Sequence, residues 1–436
     1  MQNYYIESFK VTKLWGYRNI NLTFNKDVNI IIGPNGSGKT TVLYLLYSIL
    51  SLDLLNLLNF NFDRVEIKLK GFKESSVRTV TVKSNTEDGV WEIGIGKKKF
   101  PLNIEALFDR RLPGYYRDET GRITTRTLPP HLRRRIIPEE LYDELTTLVP
   151  LVWLPVSRRL PVTENEEERY PRRVSLESVD LRLENLLEGL SRYYSILNAQ
   201  LSERYREFER QVLLAILYNK DQDQLKHMLS IPSSLPTEVE KEKLVRAFKA
   251  AGLLDRKMQG RINEHFDETK VAVKRLNSQD ANDSKAEDLF MLPLISRTQA
   301  MVKYAEELET DRERIFASLR LYENTVNSFL NDKSIKVNES GRLIIESVTQ
   351  SELSLRDLSS GEKQILILFT ETLLQVDEPM VYIADEPELS LHVSWQRKLL
   401  DSLVKLGGQI QVIVATHSPD IVGKFLDNVI ELGRIN

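Results

Sequence analysis

The stretch Gly33–Thr40, "GPNGSGKT", follows directly on the β-branched run Ile30, Ile31 and Ile32. No other feature restricts the fold as much. A short run of bulky β-branched residues without polar alternation reads as a strand covered on both faces, which is how parallel strands in α/β proteins read. Glycines at Gly33, Gly36 and Gly38 then allow a backbone turn that residues with a Cβ resist. An apolar helix is predicted from near Lys39. Strand, glycine turn and helix in that order match the pattern GxxxxGK(S/T), a phosphate cradle. Backbone N–H groups around Asn35, Gly36, Gly38 and Thr41 would surround the phosphates, and the helix N-terminus would add its dipole. Lys39 would reach the β- and γ-phosphates, and the Thr40 hydroxyl would ligate Mg²⁺. The expected ligands are therefore ATP and Mg²⁺.

The rest of the chain reads in three parts. With 436 residues, and roughly 150 residues per domain as a prior, more than one unit is expected. Residues 1–175 carry the loop and then three short alternating runs between Val65 and Ile95. Turn residues separate these runs, which predicts an antiparallel meander. A basic loop follows, with Arg110, Arg111, Arg117, Arg122, Arg126 and Arg133–Arg135 interleaved with Tyr115 and Tyr116. It reads as solvated or partner-facing surface, with nucleic-acid contact as the alternative. Residues 176–332 are helical. Leu183, Leu186, Leu187, Leu190, Tyr194, Leu197, Leu201, Tyr205, Phe208 and Val212 make one apolar stripe. It predicts a long helix in a hairpin, bundle or short coiled coil, with a face also open to assembly. Thr237 and Glu240 have the spacing of a capping box. A second long helix is expected over 300–330. Residues 333–436 begin with a hairpin turning at Ser340–Gly341 and continue as an α/β half-domain.

Composition excludes some chemistry. There is no cysteine, so no disulfide, thiolate metal site or cysteine nucleophile is present. A net charge of −3 shows no global bias towards nucleic acid. The N-terminus lacks the apolar core of a signal peptide. The most apolar window, Val42–Phe60, is interrupted by Asp53, Asn56 and Asn59, so no membrane partner is expected. The location expected is cytoplasmic.

Three C-terminal stretches carry the remaining chemistry. Val381–Ala384 is an apolar run that ends in Asp385 and Glu386. A carboxylate at the end of a buried strand suits a Mg²⁺ ligand, and the next acid can polarise an attacking water. A second buried run, "QIQVIVA", ends in Thr416 and His417, one of only five histidines. His417 could meet a γ-phosphate and the water, or simply cap the strand. "LSSGEKQILILF" opens with Ser359, Ser360 and Gly361 at a predicted helix N-terminus, which a bare helix cap would also explain.

Taken in order, these segments resemble the ABC-type ATPase heads of the SMC, Rad50, RecF and OLD group. The resemblance covers residues 1–50 and 350–436. It implies an α/β P-loop ATPase head with an antiparallel β subdomain and an inserted α-helical domain. It also implies that Ser359 and Gly361 close over the nucleotide of a second copy, giving a homo-oligomer. Ser360 and Glu362 depart from the family's usual Gly and Gln. The family's glutamine loop has no counterpart; "LPVSRR", Leu154–Arg159, stands near its position without a glutamine. The segment "DEPELSLHVSWQRKLL" resembles ATPases of bacterial anti-phage operons, those of the PARIS system first and of Septu and retron systems after it. That implies a sensor or scaffold controlling a separately encoded effector, such as a TOPRIM-type nuclease, with DNA or a phage-encoded protein as trigger. No nuclease is expected on this chain, which stops at Asn436. The alternative is a DNA-binding repair ATPase of the RecF and Rad50 type.

Overall fold

The computed structural model describes residues 3–85, 90–103, 116–117, 123–124, 136–154, 178–216, 237–276, 286–347, 352–375 and 379–433. The chain forms two units. One contains Met1–Ser191 and Leu321–Asn436, and the other contains Arg192–Arg320.

The first unit is built on two sheets. Tyr4–Leu14 (β1), Arg18–Thr23 (β2) and Val28–Ile32 (β3) are the first strands. After the phosphate-loop stretch come Lys39–Leu50 (α1) and the single turn Leu54–Leu57 (α2). The expected meander follows as Arg64–Gly71 (β4), Val77–Asn85 (β5) and Val90–Ile95 (β6), with Lys98–Asn103 (β7) added. It does not stand alone. The N-terminal strands join it in a six-stranded antiparallel sheet ordered β2-β1-β4-β5-β6-β7. Burial alternates along β4, with Val65, Ile67 and Leu69 inside, as a sheet packed on one face requires. Tyr116–Arg117 (β8) and Ile123–Thr124 (β9) pair separately. The side chains of the basic loop lie outside the described residues, as do residues 155–159 of "LPVSRR".

The second sheet has five strands, all parallel. Its order is Leu151–Leu154 (β10), Met380–Asp385 (β13), Ile410–Ala415 (β14), β3 and Val429–Glu431 (β15). All six residues of β13 and all six of β14 are buried, which is why both read as largely apolar; the exceptions are Asp385 at the end of β13 and Gln411 in β14, whose amide bonds the main chain of Ile6. Leu43 and Leu46 of α1 and Ile31, Ile383 and Ile413 of the sheet share one core with the antiparallel strands. Glu139–Leu148 (α3) adds Leu141 and Leu145 to that core. The hairpin Lys333–Val337 (β11) and Leu343–Ser347 (β12) forms where expected, with Gly341 at φ +74° in its turn.

The long helix is Ser178–Ile216 (α4). The second unit adds Glu238–Ala250 (α5), Arg256–Leu276 (α6) and Ala286–Ile315 (α7). Thr237 and Glu240 form both halves of their capping box at α5. α7 packs on α5 and on α6, which also pack on each other, so the insertion takes the bundle form. The second long helix starts earlier than expected, has Pro293 inside it, and is divided at Phe316 from Ala317–Asn327 (α8). The apolar stripe of α4 does not supply a free assembly face. Leu183, Leu190, Leu197, Leu201, Phe208 and Val212 are all buried within the chain.

Two helices at the margins of the insertion are tied to Ser360–Leu373 (α9) inside the first unit. Asp180 pairs with Lys363 at 2.8 Å, and Arg182 pairs with Glu371 at 2.6 Å. Gly189 packs on Leu374, where a Cβ would stand 2.8 Å from the leucine side chain. From α8, the Tyr322 hydroxyl meets the Thr370 hydroxyl at 2.8 Å, both buried.

Candidate active site

Parallel strands end on the same edge of their sheet, and here register brings three ends together. Asp385 is opposite Ala415, and Ala415 is opposite Ile31. The glycine loop after β3, the acids after β13 and Thr416–His417 after β14 therefore leave the sheet side by side. The crevice at the carboxyl ends of parallel strands is the usual ligand position in open α/β sheets.

The loop is shaped for close approach. Gly36 and Gly38 have φ of +77° and +89°, the left-handed region. A Cβ on Gly33 would stand 2.5 Å from the Leu432 carbonyl oxygen and 2.8 Å from Ser37 Oγ. The start of α1 carries no side-chain cap and no acid in its first turn. Its first N–H groups are thus left to a ligand or to solvent. Lys39 is buried, and its Nζ donates to the carbonyls of Gly33 at 2.9 Å and Pro34 at 3.3 Å. Burial lowers its pKa, against the opposing pull of Glu386 and Asp385. Asn35, Gly36 and Thr40 are exposed at the loop's mouth.

Asp385, the last residue of β13, is 2% exposed. Neither carboxylate oxygen has a well-formed hydrogen bond. Burial is the main cause that pushes its carboxyl up to about 6. The nearby Thr40 hydroxyl and Lys39 oppose this, while Glu386 and Glu388 add to it. An unpartnered carboxylate in so dry a place is costly and suits a cation beside the Thr40 hydroxyl. Among the described residues no three His, Asp or Glu side chains converge as a protein-only cage would. A Mg²⁺ ion here would therefore take phosphate and water as further ligands, its usual habit at nucleotides.

Glu386 has φ +47°, rare for a residue with a Cβ, and its N–H donates to the Ala415 carbonyl at 2.8 Å. Its Oε1 stands 3.9 Å from His417 Nε2, and both side chains are partly open to solvent. The two residues predicted to meet the attacking water are thus adjacent.

Ser359 is the N-cap of α9, as expected, and forms a capping box with Glu362. The Ser359 hydroxyl both donates to Glu362 Oε2 at 2.8 Å and accepts from the Glu362 N–H at 3.3 Å. Burial alone would raise the Glu362 carboxyl, but Lys333 at 2.9 Å and the Ser359 bonds hold it below its ordinary value. Ser359 and Ser360 are exposed. A Cβ on Gly361 would stand 2.7 Å from the Ser390 carbonyl oxygen, so α9 presses on the turn that follows the acids.

Sequence reasoning did not single out Arg18, Trp15 or Glu388. Arg18 donates to the Ser37 carbonyl at 2.6 Å and to the Gly433 carbonyl at 2.9 Å, joining the loop to the chain's last strand region. Trp15 covers Gly38. Glu388 is a third acid in "DEPE", and that density of carboxylates was the available signal.

Residues 28–423 match the family described as "AAA domain, putative AbiEii toxin, Type IV TA system". The chain belongs to this family of AAA ATPase domains. Two curated members of its wider kin are retron proteins. The chain is 24% identical to the Retron Vc95 probable ATPase of Vibrio cholerae serotype O1 biovar El Tor, over 36% of this chain and 35% of that protein. It is 34% identical to the Retron Ec83 probable ATPase of Escherichia coli, over 24% of this chain and 21% of that protein. The chain thus matches about a third of one relative and a fifth of the other. The Smc head domain derived from Pyrococcus furiosus, crystallised with an extended coiled coil and the C-terminal domain of ScpA, overlaps 98% of this chain and 93% of its own. The identity is 13% and the TM-score 0.40, too loose an overlap to carry an argument. Among the described residues of this AAA protein, no helix is long and apolar enough to cross a membrane.

Proposed function

We propose that this AAA protein hydrolyses ATP at the carboxyl edge of its parallel sheet and uses the cycle to control a separately encoded effector in anti-phage defence. The observation that carries the hydrolytic reading is Asp385. Its two buried, unpartnered carboxylate oxygens stand beside the exposed Thr40 and the lysine of a phosphate loop.

In this reading the N–H groups around Asn35, Gly36, Gly38 and Thr41 hold the phosphates, and Lys39 leaves the loop carbonyls for the β- and γ-phosphates. Thr40 and Asp385 would hold Mg²⁺, which would supply charge neutralisation on the phosphates. Glu386 accepts a proton from water as the water oxygen bonds to the γ-phosphorus. The bond to the β-phosphate oxygen breaks, and ADP and phosphate leave. His417 orients the water and the γ-phosphate. Ser359 and Gly361 serve the nucleotide of a second copy: the exposed Ser359 offers its hydroxyl once that leaves Glu362, and Gly361, itself buried, takes part through the main chain of the helix start.

The family and the retron ATPases support the defence setting and do not single out the PARIS type. Phosphate release with Mg²⁺ and with a chelator tests the chemistry; release should require Mg²⁺. A wild-type protein that binds no ATP would overturn the reading. Light scattering with ATP and Mg²⁺ tests assembly. At least a dimer is expected, and a single 50.5 kDa chain at micromolar concentration would exclude the shared site. Affinity purification together with the products of neighbouring genes tests effector control; an effector should be retained in one nucleotide state and released in another.

A further inference from the structure

Glu388 lies two residues beyond Glu386 and is 8% exposed. Its Oε1 accepts a hydrogen bond from the Thr416 hydroxyl. The same oxygen accepts the His417 N–H at 3.3 Å. Thr416, itself 1% exposed, also accepts the Ser418 N–H on its hydroxyl at 2.9 Å. One carboxylate oxygen therefore fixes the segment 416–418 where it leaves β14. The other, Oε2, is buried without a partner.

The main chain of Glu388 makes a second attachment. Its carbonyl accepts the Leu391 N–H at 2.9 Å, closing the turn in which Ser390 has φ +72°. The Ser390 carbonyl is the group against which Gly361 of α9 packs. Glu388 thus joins the exit of β14 to the turn beneath α9.

We propose that Glu388 is a positioning residue for hydrolysis: through Thr416 and the His417 N–H it fixes where the His417 imidazole stands relative to Glu386. This rests on the hydrolytic reading above. A purely structural tie would not need a carboxylate. A buried threonine hydroxyl is satisfied by any carbonyl oxygen, whereas burying an acid with one oxygen unpartnered is costly. The 3.9 Å between His417 Nε2 and Glu386 Oε1 is set by backbone that Glu388 holds. Displacements of about 1 Å in such constellations can cost ~10²-fold in rate.

Removing Glu388 would also remove a charge that bears on Asp385, so the cleaner probe is its partner. Thr416→Val deletes the hydroxyl and keeps every charge; Thr416→Ser restores it. Phosphate release, binding of a fluorescent ATP analogue and thermal melting are measured on both, on Glu388→Ala and on Glu388→Ala/Thr416→Val. Thr416→Val should lower kcat about tenfold with affinity within about twofold of wild type, and Thr416→Ser should recover most of the rate. The double variant should be no slower than Glu388→Ala, as expected for residues acting as a unit. Near wild-type turnover in Thr416→Val overturns the proposal. So does a rate loss matched by equal losses of affinity and melting temperature, which marks a merely structural tie. A wild-type protein that binds ATP without releasing phosphate removes the hydrolytic reading itself.

Discussion

The sheet edge and the helical unit treat buried polar groups in opposite ways. Around the phosphate loop, Ser37 Oγ, both Asp385 oxygens and Glu388 Oε2 are buried without partners. In the unit Arg192–Arg320, no described buried side-chain nitrogen or oxygen lacks one. There the buried Thr269 hydroxyl donates to the His265 carbonyl at 2.6 Å, and the buried Asp288 pairs with Arg275 at 3.5 Å. Phe208, Leu244, Phe248, Ile262, Phe266 and Val302 make a closed apolar cluster between its helices. The helical unit is complete as it stands. The sheet edge is unfinished, and groups of opposite charge and suitable donors would complete it. Other bare polar atoms lie elsewhere in the first unit, at Ser48, Ser51, Trp91 and Tyr382, but the edge holds three carboxylate oxygens, the costliest kind to leave bare, which fits stability given up there for binding.

The comparison fails if the two regions respond alike to substitution. Phe266→Ala should destabilise the helical unit by about 3–5 kcal/mol, since it opens a cavity in a buried cluster. ATP affinity, measured on the folded protein, should not change. Denaturant melts and nucleotide titration check this pair of outcomes.

Lys39→Ala should do the reverse. ATP affinity should fall at least ~10²-fold, or about 2.7 kcal/mol, while melting of the nucleotide-free protein changes little. Isothermal titration showing unchanged affinity would remove the phosphate-loop assignment.

Asp385 gives a pH-dependent test of the unfinished edge. Its folded pKa, about 6, lies above its ordinary value of 3.8, so the native state holds the proton more tightly. Stability of the metal-free protein should therefore fall as pH rises from about 4 to about 6, with the penalty fully present above that range. Asp385→Asn removes the ionisation. It should stabilise the nucleotide-free protein by roughly 1–2 kcal/mol at pH 7 and by little near pH 4. Thermal melts across this range decide the matter; a flat difference would mean the carboxylate is satisfied after all.

The smallest effect expected is at a cap. Thr237→Ala removes one half of the capping box on α5 and should cost about 1 kcal/mol, with no change in nucleotide affinity. An affinity change from this substitution would show that the two regions are not independent.

Much of the edge was legible before the structure because its parts are local. Ile30–Ile31, Val381–Ala384 and Val412–Ala415 are buried, and such strands announce themselves by unbroken apolar runs. The polar residues that end them are then conspicuous. Their register, Asp385 beside Ala415 beside Ile31, follows once the strands are parallel neighbours. What was not legible depends on contacts between distant segments. The pairing of β1 with β4 enlarges the meander, and nothing in either strand alone requires it. The apolar stripe of α4 showed a face but not its covering, which the chain supplies itself. Glu388 read as one more acid, because its role lies in a hydrogen bond to Thr416 on another strand's exit.

Glu386→Gln, measured for ATP binding and for phosphate release side by side, tests the central claim most directly. The substitution keeps the shape of the side chain and removes the base. If the sheet edge is a hydrolytic ATP site, affinity stays within a few-fold of wild type and phosphate release falls at least ~10²-fold. A variant that releases phosphate at a near wild-type rate would contradict the account, because no other described group at this edge stands where Glu386 does beside His417.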